Sequence, residues 1–205
     1  MLVAQKLLQL RAFRVQVRNP FIWANGWKSP VYLDDRKILS YAFSRNFFKL
    51  EIARMIAEMY PDADVIAGVA VNALAYGVLA AEQLDLPFIS VYPTPKNHGF
   101  ENQIEGDLRP RQKVVVVENQ VSMGRNVSKV IEALRGNGCI VQAVVTLFDF
   151  QLPNAKKLFK NEEVPLLALT DFDAFIKVAL ESNSISENDY AALLEWHKNP
   201  QNWNN

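Results

Sequence analysis

The sequence has few of the residues that build metal centres or disulfide frameworks. Among its 205 residues, Cys139 is the only cysteine, and His98 and His197 are the only histidines. A single cysteine excludes an intrachain disulfide and a multi-cysteine zinc site, and two distant histidines exclude the common histidine-rich metal sites. If a metal takes part in function, we expect it to be Mg²⁺ that arrives with a phosphorylated ligand.

An excess of charge of either sign is also absent, because 22 Lys and Arg balance 22 Asp and Glu. Half of the residues are hydrophobic, which excludes a disordered chain and gives no polybasic surface for nucleic acid or membrane. The longest apolar runs, such as Val114 to Val117, are far shorter than the roughly 20 residues that cross a bilayer. With no signal-peptide pattern at its start, the sequence predicts a cytoplasmic protein whose ligand is a small molecule.

From residue 44 onward, helical periodicity alternates with short apolar runs rich in branched residues, a pattern typical of βαβ units. This pattern predicts a parallel α/β sheet flanked by helices. The predicted strands are 64–69, 88–91, 113–117, 140–148 and 166–169, and the predicted helices include 44–60, 72–84, 174–181 and 186–197. Residues 92–112 lack periodicity and are expected to form a long loop. Residues 1–40, rich in aromatic and turn-forming residues, are predicted to be a small hood over a core formed by 41–205, within one compact domain.

The most informative segment runs from Val114 to Asn126, where a buried strand is followed by a polar turn and the start of a helix. Ligands of open α/β sheets bind at the carboxyl ends of the strands, and a helix N-terminus offers unpaired N–H groups to a phosphate. The alternative, given equal weight from spacing alone, is an ordinary strand-to-helix connection with Asn126 as the N-cap.

Four segments, taken in order, resemble the orotate phosphoribosyltransferases, a family with the type I phosphoribosyltransferase fold. They are Phe21 to Arg36, Asp64 to Ala70, Lys96 to Gly106, and Val114 to Asn126. The resemblance implies a transfer of the phosphoribosyl group from phosphoribosyl pyrophosphate (PRPP), with Mg²⁺, to orotate or a related base. It also implies a homodimer, because in this family the loop that matches Lys96 to Gly106 reaches across the subunit interface.

The resemblance assigns a role to each matching position. Lys96 and His98 would act on the leaving pyrophosphate as catalytic residues of the flexible loop, although a solvated loop is the simpler explanation of either residue alone. The positions assigned to ribose and the 5′-phosphate of PRPP are Glu118, Asn119, Ser122, Met123, Gly124, Arg125 and Asn126. Those assigned to the pyrophosphate loop are Val71, Asn72 and Ala73, and those assigned to the base pocket are Lys28, Tyr32 and Phe150.

The sequence also departs from the family pattern at three subsites. Asn119 stands where the family has a second acidic residue for the ribose hydroxyls. Met123 and Arg125 add bulk where the family's 5′-phosphate turn keeps space, and Arg125 could either bind the phosphate or occupy its site. In the pyrophosphate loop the β-branched Val71 stands in a turn that in the family commonly contains glycine or lysine, and Tyr92 stands where the family has an arginine that contacts the pyrophosphate. Outside these three subsites, Phe150 stands where bacterial members have an arginine that contacts orotate. Each lost charge-assisted contact is worth roughly 1.5 to 3 kcal/mol.

Two hypotheses of different class follow from these matches and departures. In the first, the protein is an orotate phosphoribosyltransferase that forms orotidine 5′-monophosphate and pyrophosphate. In the second, the scaffold is a catalytically degenerate paralogue that binds a nucleotide or acts through a protein partner as a regulator. Because all three subsites are changed together, the sequence alone favours impaired catalysis.

Overall fold

The structure is a computed structural model that describes residues 1–95 and 103–203. Its helices are α1 (Leu2–Gln9), α2 (Arg36–Ser40), α3 (Ala42–Met59), α4 (Leu74–Leu84), α5 (Arg125–Gly136), α6 (Pro153–Glu162), α7 (Phe172–Glu181) and α8 (Glu187–Lys198), with a short 3-10 turn at Pro200–Asn202. Its strands are β1 (Phe13–Val15), β2 (Phe21–Ile22), β3 (Lys28–Ser29), β4 (Val31–Leu33), β5 (Val65–Val69), β6 (Phe88–Val91), β7 (Ile104–Glu105), β8 (Lys113–Val121), β9 (Ile140–Asp149) and β10 (Leu166–Asp171).

The chain folds as two compact units. One comprises Met1–Arg45 together with the residues from Thr170 onward, and the other comprises Asn46–Leu169. The hood predicted for residues 1–40 falls within the first unit, and its boundary stays a prediction.

The central sheet confirms the predicted α/β class. Its strand order is β10-β9-β8-β5-β6-β7, and the pairs β5–β6, β5–β8 and β8–β9 are parallel. Strand β8 lies between β5 and β9, and its four consecutive valines, Val114 to Val117, are completely buried. A strand buried on both faces reads as a continuous hydrophobic run, which is why this segment carried the clearest strand signal.

Helix α4 packs very closely on strand β5, and two glycines make this possible. A Cβ atom added to Gly77 would lie 2.7 Å from Cε2 of Phe88 and 3.1 Å from Cα of Gly68. A Cβ atom added to Gly68 would lie 2.9 Å from the same Phe88 ring. The two glycines therefore let the backbones of α4 and β5 approach each other closely.

The first unit is built around aromatic side chains. The rings of Phe13 and Phe175 have centroids 4.0 Å apart, and the fully buried Trp196 lies 5.5 Å from both Trp23 and Phe172. The capping box at the start of α8 joins Ser186 and Asp189 and explains why this helix begins where its acidic first turn predicted.

Several boundaries differ from the sequence prediction. Helix α4 begins at Leu74 rather than at residue 72, because Ala73 is its N-cap and the exposed Asn72 belongs to the preceding loop. The segment predicted as a long loop contains the short edge strand β7, which pairs antiparallel with β6. The catalytic residues predicted at Lys96 and His98 lie outside the described residues. Within the described residues, no helix has both the length and the apolar character needed to span a bilayer.

Candidate active site

The sheet order defines a crevice at the carboxyl ends of β5 and β8. From β5 the chain continues to β6 on one side, whereas β8 pairs with β5 on the other side and leads on to β9. In open α/β sheets, ligands bind where the direction of strand addition reverses in this way. The two segments predicted to hold PRPP follow these two strands, since Val71 to Ala73 comes after β5 and Ser122 to Asn126 comes after β8.

Strand β8 is longer than its apolar run predicted. The polar turn expected to begin at Glu118 begins only after Val121, because β9 remains paired with β8 through Gln120↔Phe148 and Val121↔Asp149. The prediction was wrong here because polarity alone cannot reveal that a neighbouring strand is long enough to continue the ladder. The extension carries Glu118 and Asn119 beyond the last β5 partner of β8, which is Gly68 opposite Val117.

Glu118 and Asn119 are buried on this extension. Glu118 is 6% exposed and Asn119 is 4% exposed. The backbone N–H of Asn119 donates a hydrogen bond to Oε1 of Glu118 at 2.9 Å. The N–H of Asn119 therefore fixes the orientation of the Glu118 carboxylate.

The turn after β8 presents backbone donors at the start of α5. Gly124 is the N-cap with φ +75°, a left-handed conformation that favours glycine. The alternative with Asn126 as N-cap is wrong, because α5 begins at Arg125 and Asn126 is its second residue. The first backbone hydrogen bond of the helix runs from the Ser128 N–H to the Gly124 oxygen, at 2.9 Å. Within the described residues, the N–H groups of Gly124, Arg125 and Asn126 have no acceptor.

The side chains of this turn differ in exposure. Met123 is buried and Ser122 is half-buried, so the methionine side chain fills protein interior. The Arg125 side chain is exposed and has no hydrogen-bond or ion-pair partner in the part of the chain that the structure describes. Its guanidinium group remains available for an anion.

The loop after β5 combines exposed side chains with available donors. Val71 is 72% exposed, Asn72 is exposed and Ala73 is completely buried. The peptide bond between Ala70 and Val71 is cis. The Ala73 N–H donates to the Val69 oxygen at 3.1 Å, whereas the N–H groups of Val71 and Asn72 have no acceptor among residues 1–95 and 103–203. This loop therefore offers two backbone donors despite lacking glycine.

Helix α6 supports the turn after β8, and sequence reasoning missed it. A Cβ atom at Gly124 would lie 3.4 Å from Cε2 of Phe159 and 3.5 Å from Cδ2 of Leu158. Only Ala155 and Phe159 of this lysine-rich helix are buried, so its periodicity is faint. Pro153, the first residue of the helix, was the available signal.

Two of the predicted base-pocket residues belong to the first unit. Lys28 lies on β3, and the indole Nε1 of Trp196 donates to its backbone oxygen at 3.3 Å. Tyr32 lies exposed on β4, with its ring centroid 5.4 Å from that of Phe21. These contacts fix the backbone that carries Lys28 and leave the Tyr32 ring accessible.

The third predicted base-pocket residue, Phe150, belongs to the second unit and is only 2% exposed. Its ring centroid lies 4.9 Å from that of Phe148. Elsewhere in this unit Cys139 is buried, and burial raises the pKa of its thiol. This agrees with the prediction that Cys139 packs as a small hydrophobic residue.

The chain is similar to curated enzymes over nearly its full length, although no family model matches it. It is 50% identical to an orotate phosphoribosyltransferase of Bacteroides thetaiotaomicron, over 98% of this chain and 95% of that protein. It is 39% identical to the orotate phosphoribosyltransferase of Bacillus subtilis, over 98% of this chain and 93% of that protein. A solved orotate phosphoribosyltransferase from Aeropyrum pernix has a TM-score of 0.73 and 26% identity, and the match covers 89% of this chain and 99% of that one.

Proposed function

Since this chain belongs to the orotate phosphoribosyltransferase family, we propose that it transfers the phosphoribosyl group of PRPP to orotate. The bond between the anomeric carbon of ribose and the pyrophosphate oxygen breaks, and a carbon–nitrogen bond to orotate forms. The products are orotidine 5′-monophosphate and pyrophosphate. Positive charge develops on the ribose ring in an oxocarbenium-like transition state, so groups that place negative charge near the ring favour the reaction.

This proposal rests on two groups of backbone N–H donors that have no acceptor in the described residues. Each group follows the carboxyl end of one of two adjacent strands. Gly124, Arg125 and Asn126 follow β8, and Val71 and Asn72 follow β5. A helix N-terminus with unpaired N–H groups favours a phosphate both by hydrogen bonding and by its dipole. PRPP needs one such site at each end, for its 5′-phosphate and for its pyrophosphate.

The ribose would lie against the extension of β8. The ribose hydroxyls would donate hydrogen bonds to the Glu118 carboxylate, which the Asn119 N–H already orients. Asn119 binds a hydroxyl through a neutral amide, which makes a weaker contact than the charge-assisted one of a carboxylate. Arg125, exposed beside the turn, supplies a guanidinium fork to the 5′-phosphate.

Magnesium would enter with PRPP rather than reside in the protein. Among the described residues no cluster of three or more His, Cys, Asp or Glu side chains could hold a metal ion. Mg²⁺ commonly binds through one or two carboxylates together with substrate phosphates, and Glu118 fits that donor set. The ion neutralises pyrophosphate charge when bound.

The remaining roles follow the family pattern. Lys96 and His98 would stabilise the charge that develops on the leaving pyrophosphate, and Lys28 and Tyr32 would contact the base. The polar segment Lys96 to Gly106 would serve the site of a neighbouring subunit, which makes the working protein a homodimer. The prediction of a cytoplasmic location stays a prediction.

The rival hypothesis is a degenerate paralogue that binds a nucleotide or a protein partner without transfer. It rests on the substitutions at the three subsites, and no comparison supports it. A steady-state assay with PRPP, Mg²⁺ and orotate separates the two, with Glu118→Gln as the matched variant. The proposed function requires turnover by the natural sequence and a strong loss in Glu118→Gln. Absence of turnover in both would favour the paralogue.

A further inference from the structure

One carboxylate at the end of α6 holds both ends of α5. The Ser128 hydroxyl donates to Oε1 of Glu162 at 2.7 Å, and Nη1 of Arg135 donates to Oε2 of Glu162 at 3.1 Å. Nη2 of Arg135 also donates to the backbone oxygen of Glu162, at 2.7 Å. Both oxygens of the Glu162 carboxylate are therefore committed to α5, one near its beginning and one near its end.

The polar contacts of Glu162 differ in exposure. The Glu162 side chain is 25% exposed and its bond from the Ser128 hydroxyl is partly buried, which reduces screening by water, whereas the hydrogen bonds from Arg135 are exposed. A carboxylate at a helix C-terminus opposes the helix dipole. Arg135 offsets that cost, because its guanidinium group contacts the carboxylate and also the backbone oxygen of the last α6 residue.

Ser128 connects Glu162 to the turn that follows β8. The Ser128 N–H donates to the Gly124 oxygen, so holding Ser128 also holds the peptide of the N-cap. A Cβ atom added to Gly124 would lie 3.4 Å from Phe159 and 3.5 Å from Leu158 of the same helix. Helix α6 therefore lies close to the N-cap of α5 and is also joined to α5 by the hydrogen bond from Ser128.

We propose that Glu162 is a positioning residue for PRPP binding. Acting through Ser128, Glu162 holds the N–H groups at the start of α5 where they can bind the 5′-phosphate. This inference rests on the proposed function. Glu162 itself does not touch the substrate, and its effect is selective. It supports the 5′-phosphate end of PRPP and has no part in binding the base.

Steady-state kinetics of four variants tests this selectivity. Glu162→Ala removes the acceptor, Ser128→Ala removes the donor, and Glu162→Gln keeps an oxygen for the Ser128 hydroxyl while losing the charge. We expect the KM for PRPP to rise roughly tenfold in both alanine variants with the KM for orotate unchanged, because misplacing a binding group weakens only the contacts it makes. Glu162→Gln should recover most of the loss. Glu58→Ala is the control, since Glu58 forms an ion pair with Arg54 elsewhere in the same unit.

Hydrogen exchange of the free protein separates the failure of this inference from the failure of the proposed function. The amide of residue 128, whose N–H bonds to the Gly124 oxygen, should exchange faster in Glu162→Ala and Ser128→Ala than in Glu58→Ala, and the double variant should add little to either single one. Unchanged exchange, or an equal rise in the KM for both substrates, would overturn the positioning role. Natural protein that binds no PRPP contradicts the proposed function instead, and exchange alone then decides whether Glu162 holds the turn.

Discussion

The side-chain amide of Gln142 donates a hydrogen bond to Oδ1 of Asp62, with Nε2 and Oδ1 2.9 Å apart. Gln142 is the extra residue of a bulge in β9, because Val114 pairs with Val141 while Val115 pairs with Ala143. A bulge redirects the side chain of the residue it contains. Asp62 also accepts from the ammonium group of Lys113, so a single carboxylate connects the beginnings of β8 and β9.

These contacts predict that Asp62 accounts for part of the stability that the protein loses in acid. The hydrogen bonds from Lys113 and then from Gln142 lower the pKa of Asp62 below its ordinary value of 3.8. A carboxyl group with a lowered folded pKa stabilises the fold above its ordinary pKa, and this contribution is lost as the pH falls through the lower, folded pKa. We expect Asp62→Asn to flatten the decline in unfolding free energy that the natural sequence shows as the pH falls below about 4.

Chemical denaturation at several pH values checks this prediction, with Asp107→Asn as the control. Asp107 is almost fully exposed and faces Arg109 at 3.8 Å, a distance at which an exposed pair contributes little. The control should keep the slope of the natural sequence. An equal slope in all three proteins would show that Asp62 is not stabilised in the folded state. High salt should reduce the difference, because Asp62 and Lys113 are both partly exposed.

The contact between α4 and β5 predicts opposite effects for two glycine substitutions. Gly77→Ala would place a Cβ atom 2.7 Å from the Phe88 ring, and we expect overpacking to cost about 1 to 3 kcal/mol of unfolding free energy. Gly136→Ala has no atom within 4 Å of its new Cβ and lies in the last turn of α5. There alanine should be neutral or stabilise by up to about 1 kcal/mol. Urea denaturation of both variants measures the difference, and a stabilised Gly77→Ala would contradict the close packing.

Arg125 and Asn119 predict a change in PRPP affinity that can go in two directions. If Arg125 occupies the 5′-phosphate site, Arg125→Gly together with Asn119→Asp should tighten PRPP binding by roughly 1 to 3 kcal/mol, the value of one regained charge-assisted contact. If the exposed guanidinium group is itself a ligand, Arg125→Gly alone should weaken binding by a similar amount. Calorimetry of the single and double variants decides between the two roles.

The proposed homodimer predicts a sedimentation coefficient for twice the 23.3 kDa chain at micromolar concentration. A sharper test uses the crossing of the loop between subunits. Mixtures of Lys96→Ala with Glu118→Gln should regain part of the activity that each lacks alone, because one of the two sites in a mixed dimer combines intact groups from both chains. A monomer, or a mixture without recovery, would contradict a shared site.

The sequence predicted the core of the fold because burial on both faces leaves a strong pattern. The four valines of β8 and the alternation of helices and strands required no tertiary knowledge. Helix α6 escaped detection because only two of its residues are buried, and the extension of β8 escaped because it depends on the length of β9.

The contacts that hold the candidate site in place could not be predicted from the sequence. Ser128 and Glu162 are 34 positions apart, and nothing in either local pattern marks them as partners. The unbonded N–H groups of Val71 and Asn72 could not be predicted either, because the residue pattern shows only that this loop lacks glycine. Whether the changed side chains abolish transfer depends on binding energies, which a residue pattern does not supply.

The most direct test of the account is a calorimetric titration of the protein with PRPP and Mg²⁺, followed on the same preparation by measurement of orotidine 5′-monophosphate formation and of its pyrophosphorolysis. We expect saturable PRPP binding with turnover in both directions, because both sets of backbone donors and the Glu118 carboxylate are in place. Saturable binding without turnover in either direction, or no binding of PRPP, would contradict the proposed transferase and favour the degenerate paralogue.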